Sequence, residues 1–487
     1  MFALAEKWAN KKKFVESLDW EPIHQLLQES VLLGKWILLQ ILSILRNYLC
    51  AMSKGIKSQQ AILSKLGIEK LNPMQLEAKV AIESMDNIIL LSPTGTGKTL
   101  AFLLPLIKEL DSNCNEIQNV IIVPSRELAI QIEQVFREMG TGFKVNAVYG
   151  GRSGSKDRLD IKHRPAVLVG TPGRVADHLR REAFETADIK TLVLDEFDKS
   201  LEVGFENEMR EILELLPRVN KKILTSATQG VAIPRFVELT NPVTVDYLDE
   251  EISQLAVKMV IAPSKDKLDT LLELIAHLEN QNGIIFCNFK DSIQRVSDYL
   301  SEYNVFHGTF YGGMEQGERE RALIKFRNGT HQILLATDLA ARGIDVPEIN
   351  FIIHYHLPNK SEEFTHRNGR TARMNSNGTA YVLHCEQENL PDFIGDLPVE
   401  QLTQKPLHER ADWSTLFISG GRKDKISKGD IAGLFFKQGN LSKGELGVIE
   451  LKNDCAFVSV KSHTIKDLLP KVNNTRLKKK KVRITVA

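Results

Sequence analysis

The chain has 487 residues, 43% of them hydrophobic and 26% charged, with a formal net charge of +1; this is the balance of a soluble globular protein of about three domains and excludes disordered or fibrous classes. Five widely separated cysteines, Cys50, Cys114, Cys287, Cys385 and Cys455, exclude a metal-ligand spacing and a disulfide framework, and fit reduced thiols in a cytoplasmic protein. Charge is unevenly spread: residues 412–487 hold 16 Lys+Arg against 7 Asp+Glu, the rest 47 against 55, so a basic module with an anionic partner is expected at the C-terminal end.

Residues 1–51 are read as an extension of unknown role. Val31–Leu49 is apolar in a helical rhythm, but Lys35, Gln40, Ser43 and Arg46 interrupt it, and a membrane span needs about 20 apolar residues, so no membrane partner is expected. An amphipathic extension packed on the body and a true start at Met52 both remain open. From Asn87 short apolar runs alternate with helical patterns. Strands are expected at 87–91, 119–123, 145–149, 166–169, 191–194 and 222–224, and helices at 126–139 and 205–216. The rhythm resumes at 283–287, 332–336, 351–355 and 379–383. Continuous apolar strands alternating with helices signal parallel sheets covered on both faces. The fold class is therefore α/β: two tandem parallel-sheet domains, 52–246 and 258–390, joined by an acidic linker (247–257). A second linker, 390–409, leads to a module at 412–487.

Ligands of open α/β sheets bind beyond the carboxyl ends of the strands, and the unusual short motifs fall there. Ser92-Pro-Thr-Gly-Thr-Gly-Lys-Thr99 follows the first strand and opens a helix. Thr94, Gly95, Thr96 and Gly97 form a loop whose N–H groups can turn onto phosphate, Lys98 can reach the β- and γ-phosphates, and Thr99 can ligate Mg²⁺. Asp195-Glu-Phe-Asp198 ends another strand, which suits Asp195 as a Mg²⁺-shell acid and Glu196 as the group that deprotonates water. Alone, those acids also fit a helix N-terminus. Ser226-Ala-Thr228 is weak by itself, a loop or a cap. His366-Arg-Asn-Gly-Arg-Thr-Ala-Arg373 reads either as a solvated basic helix or as finger arginines; the second domain lacks a P-loop of its own, so such arginines would serve a nucleotide held by the first.

PTGTGKT, PSREL (124–128), Gly150-Gly151, TPGR (171–174), DEFD, SAT, ATDLAARGID (336–345) and HRNGRTAR stand in this order. The series resembles the DEAD-box RNA helicases over about residues 53–384. The resemblance implies ATP and Mg²⁺ as cofactors and RNA as partner. It implies that Gln75 reads adenine, although Leu71 and Asn72 replace the family's proline and threonine, and that Asp345 touches ribose. Lys98, Glu196, Arg370, Arg373 and His366 take catalytic roles, and Thr99 and Asp195 hold the metal. Phe197 stands where the family has alanine. For RNA, Ser125, Arg126, Gly151, Thr171, Gly173 and Arg174 of the first domain and Gln316, Arg319, Thr337 and Asp338 of the second match backbone-contacting positions.

The module reads β-α-β-β-α-β, with strands at 415–419, 448–451, 455–460 and 482–486. Strand alternation turns Phe417 and Phe457 away from the core, where they are expected to stack on bases as in an RNA-recognition-motif fold; an ordinary half-buried pair is the bland alternative. Lys478–Lys481 adds charge, or is a solvated tail. LFISGGRKDKISKGDIAGLF (416–435) resembles the ancillary domain of the DbpA, YxiN and CsdA bacterial helicases, which implies a large-subunit ribosomal RNA target. Function is thus expected to be ATP-driven local unwinding of RNA in ribosome assembly; a cold-shock RNA chaperone, an ATP-gated clamp and a DNA helicase are the other readings.

Overall fold

The computed structural model describes residues 58–151, 161–202, 204–228, 233–248, 255–338, 349–371, 378–407 and 411–487. The extension 1–51, Asp345 and Arg373 lie outside them.

The first domain opens with α1 (Gln59–Leu66) and α2 (Pro73–Ser84). Its sheet holds β1 (Asn87–Leu91), β2 (Asn119–Ile122), β3 (Val145–Val148), β4 (Val167–Gly170), β5 (Thr191–Leu194), β6 (Lys221–Ser226) and β7 (Val243–Asp246). The order is β3-β4-β2-β5-β6-β1-β7 and every pair is parallel. Ile121, Val193 and Ile223 pack on one side with Phe102 and Phe136, while Val120, Leu192 and Leu224 pack on the other with Val175 and Ile212. Both faces are therefore dry, as the continuous apolar runs require. Connecting helices are α3 (Lys98–Glu109), α4 (Arg126–Met139), α5 (Pro172–Arg180), α6 (Phe197–Glu202) and α7 (Glu206–Leu215). α4 starts where the Ser125 hydroxyl accepts from Leu128 N–H and stops at Gly140 in the left-handed region, the asymmetry that caps favour.

The second domain repeats the plan with β8 (Leu255–Ala262), β9 (Gly283–Phe286), β10 (His307–Phe310), β11 (Ile333–Ala336), β12 (Phe351–His354) and β13 (Gly378–Cys385), ordered β10-β11-β9-β12-β13-β8. Its helices are α8 (Leu268–Leu278), α9 (Lys290–Glu302), α10 (Gln316–Arg327) and α11 (Ser361–Asn368). Two expectations are corrected. β8 begins inside the stretch read as an acidic linker, and residues 390–407 are a strap on this domain rather than a free linker. The Met259 N–H donates to Pro398 O, Glu400 N–H donates to Met259 O, and Leu402 and Leu407 pack against the core.

The module has β14 (Trp413–Ile418), α12 (Lys428–Lys437), β15 (Leu446–Leu451), β16 (Ala456–Lys461), α13 (Ile465–Val472), a hairpin of β17 (Thr475–Leu477) and β18 (Lys480–Val482), and β19 (Ile484–Val486). Its main sheet is antiparallel, β15-β16-β14-β19. Leu416, Ile418, Val458 and Val460 face the helices. The opposite face is seated on the end of α10. Thr415 and Thr330 hydroxyls are 2.7 Å apart, the Ser459 hydroxyl donates to Asn328 O at 2.8 Å, and the Arg327 guanidinium grips both Glu450 oxygens at 2.8 and 2.9 Å. Trp413 lies against Gly329.

Candidate functional site

The P-loop joins β1 to α3. Gly95 and Gly97 both stand at φ +89°, the left-handed region that favours glycine. A Cβ on Gly97 would fall 2.3 Å from the Gln75 amide nitrogen. Lys98 is buried and folds back on the carbonyls of Ser92 and Pro93, at 2.5 and 2.8 Å. Burial lowers its pKa, against the opposing pull of Asp195, Glu196 and Asp198. Ser92 N–H donates to Ser226 O, which ties the loop to the SAT segment.

Gln75 sits beside this loop. Its amide donates to Gly97 O at 3.2 Å and its oxygen accepts from Asn72 N–H at 3.1 Å. Asn72 caps α2, accepting from Gln75 N–H at 2.8 Å, and also donates to Thr96 O at 3.0 Å. A threonine there offers the cap but has no amide to reach the P-loop. Leu71, at the other altered position, is a core residue.

Asp195 lies one residue beyond β5, its N–H on Ile122 O as the last rung of the ladder. Its side chain is 3% exposed. Burial, then the charge of Glu196, push its carboxyl up to about 6 despite a hydrogen bond from Thr225. Glu196 stands at φ +48°, and its Oε2 is buried with no hydrogen-bond partner, as is Oδ1 of Asp198. Asp198 Oδ2 accepts from the Thr228 hydroxyl at 3.0 Å. Burial alone would raise Asp198, but His366, Lys199 and Thr228 together hold it low. Phe197 is buried in the core behind these acids.

The second domain closes on this surface. His366 Nε2 is 3.6 Å from Asp198 Oδ2, just beyond a direct hydrogen bond. A Cβ on Gly369 would lie 3.1 Å from Thr94 of the P-loop. Arg370 is 4% exposed and close enough to Lys98 to disfavour its proton. The loops at the carboxyl ends of the two sheets therefore meet at one place, with Thr94–Thr99, Asp195, Glu196, His366 and Arg370 brought together.

The residues read as RNA contacts lie along the neighbouring rim. Arg126 covers the turn at Gly151, which stands at φ +83°, and donates to Gln316 of the second domain at 3.4 Å. Arg319 pairs with Glu127 at 3.0 Å and lies over the Phe310 ring. Thr171 and Gly173 open α5, where Arg174 is 3.5 Å from Asp177. Thr337 follows β11. Both Asp338 oxygens are held by Arg367 at 2.6 Å; that buried guanidinium also donates to His356 O and Asn288 Oδ1. Sequence reading passed over Arg367, which differs from its neighbours only in the direction it points.

In the module the expectation of two open rings is corrected. Phe417 and Phe457 are cross-strand neighbours, 5.6 Å apart and edge to face. They share the face seated on α10, and Phe457 is 6% exposed. The lysine run is also no tail: it forms the hairpin turn, with Lys478 on Asp430 at 2.9 Å and Lys480 on Asp424 at 2.8 Å. Arg422, Lys423, Lys425, Lys428, Arg476 and Lys479 remain exposed around it.

This geometry is that of a two-domain nucleotide-driven motor with an added RNA-binding module, and the comparisons agree. Family models match for DEAD/DEAH box helicase at residues 72–235, helicase conserved C-terminal domain at 266–375 and DbpA RNA binding domain at 415–486. The chain is 33% identical over 351 residues to the ATP-dependent RNA helicase eIF4A of Mycosarcoma maydis, over 70% of this chain and 85% of that one. It is 28% identical over 449 residues to ATP-dependent RNA helicase DbpA of Escherichia coli, over 88% and 96%. Saccharomyces cerevisiae Dbp5 bound to RNA and ADP BeF3 superposes with a TM-score of 0.62 at 27% identity, over 68% of this chain and 88% of that one. The chain belongs to the DEAD-box ATP-dependent RNA helicases, which are RNA-dependent ATPases.

Proposed function

We propose that the protein hydrolyses ATP between its two helicase domains and uses the closure to distort RNA held along the adjoining rim, while the module anchors it to a structured RNA. The observation that carries the first part is the seating of 366–370 on the P-loop and the DEFD acids. Lys98 and the loop N–H groups hold the phosphates, Glu196 takes the proton of the attacking water, and Arg370 with Arg373 meets the charge that builds on the γ-phosphate. Gln75 reads the adenine by exchanging its bond to Gly97 for the base, and Asp345 holds the ribose. His366, against Asp198, ties hydrolysis to the RNA side.

A Mg²⁺ ion fits the residues present: a buried carboxylate oxygen without a hydrogen-bond partner on each of Glu196 and Asp198, and an Asp195 carboxyl pushed up to about 6, suit a cation among the three acids. Asp195 and Thr99 would hold it. Among the described residues no three His, Cys, Asp or Glu converge as a cage, so the rest of its shell falls to phosphate oxygens and water, as is usual for this ion. When bound it neutralises phosphate charge; the protein's own groups orient the water and exclude solvent.

Arg126, Gly151, Thr171, Gly173, Arg174, Ser125, Gln316, Arg319, Thr337 and Asp338 would carry the RNA backbone without reading bases. The module, similar to the DbpA RNA binding domain, targets large-subunit ribosomal RNA in the cytoplasm during ribosome assembly. With the Phe457 face seated on α10, its basic hairpin side meets that RNA, and Phe417, half-buried at the seam, contributes only at the margin. The test is ATPase stimulation by a ribosomal fragment against random RNA of equal length, for the full chain and for a chain ending at residue 411. The expected result is a preference for the fragment that vanishes on truncation, with turnover at saturating generic RNA retained. Equal stimulation by both RNAs in the full chain overturns the ribosomal target, and a persistent preference after truncation places it in the core.

A further inference from the structure

Thr225 is the second-last residue of β6, one strand over from the DEFD acids. It is wholly buried. Strand alternation puts it on the face of Ile223, which packs toward α3, the helix that begins with Lys98. Its hydroxyl donates to Oδ1 of Asp195 and accepts from the backbone N–H of Glu196 at 3.2 Å. One oxygen therefore holds two consecutive residues, one by its carboxylate and the other by its backbone.

Each half of the bridge answers a local problem. The β5 ladder ends at Asp195, so Glu196 N–H has no strand partner, and the residue is itself only 8% exposed; an orphaned N–H there is costly. Glu196 also stands at φ +48°, which a side chain with a Cβ adopts only when its surroundings enforce it. Asp195, for its part, is buried next to another carboxylate, and among the described residues the one side chain seen to donate to it is Thr225. The β-branched Thr225 has few rotamers on a strand, so the hydroxyl is delivered in one position. Sequence reading passed over it because it looks like one more strand residue before Ser226.

We propose that Thr225 is a positioning residue that locks Asp195 and Glu196 into the geometry that receives the metal–nucleotide complex. The inference rests on Asp195 belonging to the Mg²⁺ shell, as argued above. It assigns no contact between Thr225 and nucleotide or metal. Thr225→Val keeps the shape and loses both bonds; Thr225→Ser keeps both bonds and loses a methyl group.

The measurement is the affinity for a fluorescent ADP with and without Mg²⁺. Wild type and Thr225→Ser are expected to gain the same factor from Mg²⁺, within about threefold. In Thr225→Val that gain should fall on the order of tenfold, with metal-free affinity unchanged within about twofold, since a factor of ten corresponds to the loss of a modest charge-assisted bond. Thr225→Ala, which cannot overpack, serves the same purpose if the valine form does not fold, and melting temperatures verify folding of each. An unchanged Mg²⁺ gain in a folded Thr225→Val or Thr225→Ala protein overturns the proposal, and so does an equal loss of metal-free affinity, which is the mark of a merely structural role. Asp195→Asn is the control for the underlying reading: if it too leaves the Mg²⁺ gain intact, Asp195 is not in the metal shell and that reading fails instead.

Discussion

The molecule has two seams, both made by the second domain, and they are built from opposite materials. Toward the first domain it presents His366 and Arg370 to a surface of buried carboxylates, two of whose oxygens, Glu196 Oε2 and Asp198 Oδ1, have no hydrogen-bond partner, with Glu196 at a backbone angle that has to be enforced. Toward the module it presents Asn328, Gly329 and Thr330 to Thr415, Trp413 and Ser459, a set of neutral hydrogen bonds and close packing flanked by two satisfied ion pairs, the two-pronged Arg327–Glu450 and Glu320–Lys452 at 2.7 Å. Unsatisfied charge is tolerated in a folded protein chiefly where a ligand completes it. On the proposed reading the first seam is thus a place a ligand completes, and the second is a joint.

The comparison breaks first at the catalytic seam. Replacing Arg370 with Ala should lower turnover about 10³-fold or more, by the size of finger-arginine effects, with a much smaller change in ATP affinity; steady-state ATPase at saturating RNA reads it. Glu196→Gln should lower turnover by about 10²–10⁴-fold while ATP and RNA still bind, because shape is kept and the base is lost. Turnover within a few-fold of wild type would remove Glu196 from that role.

A stability effect of opposite sign is expected from the same seam. The Asp195 carboxyl is pushed up to about 6 from its ordinary 3.8. Between those values the folded state keeps a proton that the unfolded state has lost, so folding stability falls as pH rises from about 4 through about 6, and the penalty is fully present above that. Asp195→Asn should therefore raise the melting temperature of the nucleotide-free protein at pH 7, by the equivalent of about 1–3 kcal/mol at roughly 1.4 kcal/mol per unit, and leave it nearly unchanged at pH 4. Equal stabilisation at both values would point away from ionisation. The smallest effect belongs to the joint: Ser459→Ala should cost about 1 kcal/mol, the worth of one ordinary hydrogen bond, and leave ATPase chemistry untouched. Chemical denaturation and an ATPase assay on one sample separate the two.

How much of this was legible depended on where each signal was stored. β1 and β5 match the sequence reading residue for residue because their apolar runs are short and sharply bounded. β10, reading His-Gly-Thr-Phe, has no apolar rhythm and takes its strand form from pairing with β11. The β17–β18 hairpin hides in a lysine run because its anchors, Asp424 and Asp430, are distant in the chain; hydrogen bonds from Ser427 and Lys478 hold the Asp430 carboxyl down at about 2. The catalytic motifs were readable as strings at strand ends. Thr225 was not, since its role arises only when β6 lies beside β5. Nor was the burial of Phe457, because alternation tells which way a ring turns and says nothing of how much of it is covered.

The strap along the second domain bears on how the chain is made. β8 would otherwise leave one side of its backbone open at the margin of the sheet, a row of unpaired groups that invites pairing with other chains. Part of that margin is closed by 398–400, and the same segment brings Glu400 to Lys258 and Thr403 to His277. During synthesis β8 leaves the ribosome more than a hundred residues before its cover does, about ten seconds at the usual pace of translation. For that interval the nascent domain carries an adhesive border, and a chain cut at residue 390 would carry it permanently.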